Sequence, residues 1–358
     1  MKALALPLCL LGTELLASVA APSLPPAGSV LRSEESASSS LSRAIALSAD
    51  KRERILALDP EQVTEIEIRD LLSQMPAPHI ILIHGGLLPV KTRMKSFTRF
   101  LTGMGYPEAS IRNPANGACT YGYYDRSDKI AGIIAWYYER DGLRPMLVGH
   151  SLGGIQTVRV LHKLAGDSAD RLSVWNPVTG TDEKRWAITD PLDGVSRPVV
   201  GLKVSYATAA LSGGLGRVLP SEWDMHAKLR QIPDSAEEFT GFQKGLDILG
   251  GDFLGSGPSN DYHATGQAMV RNVRLRSLSA HSNLPDTSGL LKDEEVRKWI
   301  DHYQPGGTPG GTTTAGIGSG TKSARMVWAA EVWHAIKKHW VLEVQRLVRA
   351  KSPEDYAH

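Results

Sequence analysis

The sequence predicts an α/β fold with a mostly parallel central sheet, helices on both faces and an inserted cap. Two observations carry this expectation. Short apolar runs such as His79 to Ile83 and Pro145 to Val148 alternate with amphipathic segments of helical length. Both runs also end in glycine-rich turns, Gly85-Gly86 and Gly149 to Gly154. The carboxyl edge of such a sheet is where open α/β structures hold their ligands.

The 358 residues, 42% of them apolar, suffice for one large core, or for one core with an inserted cap. With 40 basic and 38 acidic residues the net charge is +2, and no long basic run concentrates it, so nucleic acid is not an expected partner. Residues 1–21, with Lys2, an apolar run and small residues up to Ala21, read as a signal peptide, which implies a secreted or periplasmic protein. Glu14 interrupts that apolar run, and the bulky Leu8 before Cys9 argues against acylation there. Residues 22–50, rich in Ser, Ala and Pro, read as a flexible leader. Cleavage would leave Cys119 as the only thiol, hence no intramolecular disulfide. Cys119 has no evident base beside it and reads as structural.

Residues 51–303 read as the folded domain. Thr64 and Glu67 stand at capping-box spacing and open a helix to Gln74. Met94, Phe97, Leu101 and Met104 recur at helical spacing after the strand at 79–83, and Ser110 to Arg112 reads as a short strand. A helix follows from Ser127 to Arg140, then the strand ending at Val148, an amphipathic helix from Gly154 to Leu164, and strands at Arg171–Trp175 and Pro198–Tyr206. Residues 209–267 break the alternation and read as the cap. Residues 304–321 form a Gly/Thr/Pro linker, and residues 322–350 a C-terminal amphipathic helix with Met326, Ala330, Trp333, Ile336, Trp340, Val344 and Leu347 on one stripe. That stripe packs on the body, with a membrane surface as its alternative contact. His334 and His339 fall off it and read as solvent-side.

The chemistry concentrates in two motifs. Gly149-His150-Ser151-Leu152-Gly153-Gly154 has the form of a nucleophile elbow: a sharp strand-to-helix turn holds the Ser151 hydroxyl clear, and glycines at 149 and 153 let strand and helix cross. His84-Gly85-Gly86-Leu87 after the earlier strand reads as an oxyanion loop, with N–H donors from Gly86 and Leu152. A single such donor is worth roughly 3 to 4 kcal/mol in known cases.

Together the two motifs resemble the α/β-hydrolase superfamily, in the form found in bacterial lipases and esterases, over residues 78 to 300. The resemblance implies a carboxylic ester hydrolase acting on lipid or other hydrophobic esters through an acyl-enzyme on Ser151. Its alternatives are a thioesterase, amidase or lipid deacylase of the same fold, or a non-catalytic ligand-binding protein. The partner expected is a small-molecule or lipid ester, and no element of the sequence specifies an oligomeric state.

A general base is expected in a loop after the last strand. The alternating run from Asn272 to Ser279 delivers His281 there, and the following residues to Ile300 are similar to the end of small bacterial lipases. The acid, which in this family follows a strand between nucleophile and histidine, is marked by no motif. Asp252 is placed first and Asp261 second, with Asp247 and Asp182 also open. No metal is expected, since the aspartates from 247 to 252 lack further spaced oxygen donors, and no cofactor fingerprint is present.

Overall fold

The computed structural model describes residues 48–86, 88–167, 170–212, 225–245, 247, 260–275, 281–306, 312–315 and 321–350. The expected signal peptide and nearly all of the expected leader therefore lie outside the described residues, as do Leu87 and Asp252.

The helices are α1 (Ala49–Leu56), α2 (Glu65–Asp70), α3 (Leu88–Gly103), α4 (Ser127–Asp141), α5 (Leu152–Leu164), α6 (Glu294–Asp301) and α7 (Thr321–Ala350). The central sheet takes β1 (Ile80–His84), β2 (Tyr121–Gly122), β3 (Met146–His150), β8 (Val204–Ala210), β10 (Ala236–Lys244), β12 (Met269–Leu275) and β13 (Thr312–Ala315). Between them fall two antiparallel hairpins, β4 (Trp175–Asn176) with β5 (Thr181–Asp182) and β6 (Ala187–Thr189) with β7 (Ser196–Pro198). A short parallel pair joins β9 (Gln231–Ile232) to β11 (His263–Ala264).

The sheet order is β2-β1-β3-β8-β10-β12-β13, and every neighbouring pair is parallel. Parallel strands need crossovers, and their helices cover both faces, so these strands are apolar on both sides rather than alternating. Successive residues nonetheless divide between two cores. Ile80, Leu82, Met146, Val148 and Tyr206 face the core shared with α3 and α7, while Ile81, Ile83, Leu147 and Ala207 face the one shared with α4 and α5. This is the α/β-hydrolase-like architecture, with additional elements inserted between α5 and β12.

The Thr64 capping box forms: the Glu67 N–H donates to Thr64 Oγ1 and the Thr64 N–H donates to Glu67 Oε2. Other expectations are corrected. Ser110–Arg112 is no strand; Glu108–Ser110 is a turn of 3-10 helix that buries Ile111, and the edge strand lies at Tyr121–Gly122. In Arg171–Trp175 only Trp175 joins a ladder, in a hairpin outside the sheet, because the segment runs against α4: a Cβ on Gly132 would lie 2.3 Å from the Ser173 carbonyl oxygen. Pro198 closes a hairpin, Gly201 turns the chain at φ +99°, and the sheet strand starts only at Val204.

The span 209–267 is not one continuous cap, since it contains β10 at the heart of the sheet. The inserted elements flank that strand instead. Within the expected linker, Thr312–Ala315 pairs with β12 at Asn272↔Thr312.

Helix α7 packs on the body as expected, but it is enclosed on nearly all sides, with Trp328, Trp333 and Trp340 fully buried. His334 and His339 are buried too, which corrects their assignment to solvent. Their partners explain it: His334 Nε2 lies 3.0 Å from Glu61 Oε2, and His339 Nε2 lies 3.2 Å from Glu238 Oε2. No described helix is long and apolar enough to cross a membrane.

Candidate active site at the carboxyl edge

The ends of β1, β3, β8, β10 and β12 converge at one edge of the sheet because all five strands run the same way. Ser151 sits between the last residue of β3 and the first of α5, at φ 59° and ψ −131°. A non-glycine residue there is strained and persists only where its surroundings over-determine it. They do so here: the Ser151 N–H donates to the Ala210 carbonyl at the end of β8 (2.9 Å), and the Gly154 N–H donates back to the Ser151 carbonyl (2.9 Å).

The turn is packed so closely that its glycines are steric requirements. A Cβ on Gly153 would lie 2.2 Å from the Ile83 carbonyl oxygen, and one on Gly149 would lie 2.3 Å from Thr157 Oγ1. The loop after β1 presses on the serine itself. A Cβ on Gly85 would lie 2.9 Å from Ser151 Cβ and 3.3 Å from the Leu152 nitrogen. Gly86 is exposed, and Tyr124, 80% exposed, leans over it with its hydroxyl 3.4 Å from a Cβ built there. The Leu152 N–H belongs to the first turn of a 13-residue helix, whose free amides and dipole favour negative charge.

His281 follows β12 in a short 3-10 turn and is buried. Its Nδ1 lies 2.8 Å from Asp247 Oδ2. A carboxylate only accepts, so Nδ1 carries a proton, and in the neutral ring Nε2 holds the lone pair. Nε2 is buried with no hydrogen-bond partner among the described residues, Ser151 included. Beside it His150 Nε2–H donates to the His281 carbonyl (3.2 Å), the two rings standing 5.1 Å apart. Burial, reinforced by the neighbouring His281, lowers the His150 pKa to about 3, so His150 stays neutral and braces the histidine turn without competing for protons. Burial, with Lys91 adding to it, also lowers the pKa of His84.

Of the aspartates weighed as the acid, Asp247 is the one among the described residues that meets His281, while Asp252 lies outside them. Asp261 is held elsewhere: Arg274 contacts both of its carboxylate oxygens (3.0 and 2.9 Å) and Gln243 donates to it (2.9 Å). Asp182 is exposed in the β4–β5 hairpin. The strand before Asp247 is what brings it to His281. Ala236–Lys244, buried on both faces from Phe239 onward, shows no alternation and falls inside the expected cap; read as β10, it places Asp247 as the first aspartate beyond its end.

Among the described residues no group of three or more metal-ligating side chains is assembled. No protein-family model, curated protein or solved structure matches the chain. Its placement in the hydrolase-like class therefore rests on sheet order and on this edge.

Proposed function

We propose that the protein is a serine hydrolase that cleaves carboxylic esters, with hydrophobic or lipid acyl esters as its substrate class. The observation that carries the reading is the buried Asp247–His281 pair, whose bare Nε2 belongs to the same sheet edge as the strained Ser151. In this reading the turn at Ser151 is a nucleophile elbow. Ser151 Oγ attacks the ester carbonyl carbon while His281 Nε2 takes its proton, and Asp247 holds the imidazolium that forms. The Gly86 and Leu152 N–H groups receive the oxyanion. Collapse expels the alcohol with the proton from His281, and water then releases the acid by the same steps in reverse order. That Ser151 makes no hydrogen bond to Nε2 is compatible with this, because catalytic hydrogen bonds often tighten only around substrate.

The same observation is what a non-catalytic ligand-binding protein would show. A fluorophosphonate probe separates the two, since it reacts with an activated serine and spares an idle one. Hydrolysis of p-nitrophenyl esters from acetate to palmitate, with Ser151→Ala and His281→Ala alongside, tests the chemistry. Activity in the parent and its loss in both variants are expected; a folded parent that neither hydrolyses nor labels would refute the proposal. Export directed by residues 1–21 belongs to the same reading, and N-terminal sequencing of protein secreted by the source cell checks it.

A further inference from the structure

The outer face of α3 carries Lys91, Lys95 and Arg99, one per turn, all exposed. At a rise of 1.5 Å per residue they form a row about 12 Å long. None of the three forms an ion pair among the described residues. They line a groove of about 480 Å³, facing the loop at 108–120 with Arg112 and Cys119. Among the described residues the groove's only acid, Glu108, is already taken by Arg112 (2.5 Å), which leaves the row without a described counter-charge.

A second feature points to an occupant. Thr98 lines the same groove and is 2% exposed, yet its Oγ1 has no hydrogen-bond partner among the described residues. A buried hydroxyl left unpaired is costly, and a bound acceptor would remove that cost. Two ammonium groups, a guanidinium fork and a hydroxyl together offer more donors than the two oxygens of a carboxylate can use. A phosphate, with its charge spread over three or four oxygens, can engage them together.

We propose that this groove is a binding site for the phosphate group of a ligand, held by Lys91, Lys95 and Arg99 with Thr98 at its floor. The site is independent of the ester-hydrolase reading. Its position near the β1 edge gives it a use in either case, because Lys91 and Lys95 are near enough to act electrostatically on His84. A phosphate there would be anchored near the loop after β1, which packs against Ser151.

Two arms test it on the full chain at constant ionic strength. Inorganic pyrophosphate is titrated calorimetrically while alkylation of Cys119 is followed by peptide mass spectrometry. In parallel, the protein is sedimented with vesicles of phosphatidylcholine alone or with added phosphatidate. Saturable binding in either arm, with Cys119 protected, is expected; the pyrophosphate arm identifies a soluble ligand and the phosphatidate arm a lipid headgroup. The double variant Lys95→Gln/Arg99→Gln should weaken it by roughly tenfold or more, since each loses a charge-assisted contact. Lys95→Arg should retain it, and the exposed positions keep these variants folded. No saturable binding in either arm, or binding unaltered in the double variant, overturns the proposal.

Discussion

The carboxyl edge of the sheet and the seam beneath α7 are both buried and both rich in titratable groups, yet they are built on opposite terms. In the seam every charge has its counter-charge. Glu331 meets Arg271 and the Tyr303 hydroxyl, Glu343 meets Arg144 and Arg346, and Lys337 meets Asp301 (3.0 Å) and the Val63 carbonyl. Although burial raises the Glu238 pKa, the hydrogen bond and charge of His339, with Lys338, hold it down to about 2. At the edge, by contrast, the ring nitrogens His281 Nε2, His150 Nδ1 and His84 Nδ1 are buried without partners among the described residues, and Ser151 is strained. A seam holds a helix in place and its buried charges are matched, although Trp328 Nε1 and Arg346 Nε stay unpaired among the described residues. A site that must accept a proton or a ligand keeps unspent capacity, and the well-packed remainder supports that cost.

The sharpest way to break this comparison is to alter the edge without touching the seam. Asp247→Asn should lower ester turnover by about 10⁴-fold while leaving thermal unfolding nearly unchanged, by analogy with triads in which the wrong histidine tautomer results. Asp261→Asn should leave turnover within a few-fold, since its carboxylate serves Arg274. If Asp252→Asn instead abolishes activity and Asp247→Asn does not, the assignment of Asp247 is wrong.

The converse change belongs to the seam. Arg271→Ala strands the fully buried Glu331 and should cost about 3–5 kcal/mol in denaturant unfolding, the typical result of removing one partner of a buried pair. Ester turnover at a temperature where the variant is folded should stay near the parent's. Equal losses of stability and turnover would show that the two regions are not separable.

A smaller effect is expected at the turn itself. Gly153→Ala sets a methyl against the Ile83 carbonyl, and overpacking of this kind costs about 1–3 kcal/mol. Here turnover should fall too, because the added carbon shifts the loop after β1 relative to Ser151. Calorimetry and ester kinetics on the one variant read both.

The smallest effect is a slope. Burial lowers the pKa of both His79 and His150 from 6.5 to about 3. The unfolded chain therefore binds more protons below pH 6.5, and stability falls as pH drops from 6.5 towards about 3. Within that window each histidine adds roughly 1.4 kcal/mol per pH unit to the slope. Glu238 acts in the same direction, its contribution complete above 4.5 and lost as pH falls towards about 2. His79→Gln should remove one histidine's share, measurable as unfolding free energy between pH 4 and 6; an unchanged slope would place His79 in contact with water.

Much of the edge was legible in the sequence because its constraints are local. A strand-to-helix turn that leaves no room for Cβ atoms demands glycine at 149 and 153, and the glycine loop after β1 has the same cause. Helices α2 to α5 were equally readable from spacing and caps. His281 was found because the strand before it alternates over adjacent residues. The meeting of Asp247 with His281 was not legible, because one aspartate among several carries no local mark and only its partner across the sheet distinguishes it.

By itself, then, the sequence determined the class of fold, the turn that strains Ser151 and the stretch that delivers His281, all of them consequences of short-range sterics and periodicity. Tertiary structure decided the strand order, the burial of His334 and His339, the meeting of Asp247 with His281 and the pairing of the buried charges under α7. These depend on which distant segments meet. Glu331 lies 60 residues from Arg271, and Asp247 lies 34 from His281, so neither pairing is written in the neighbourhood of either residue.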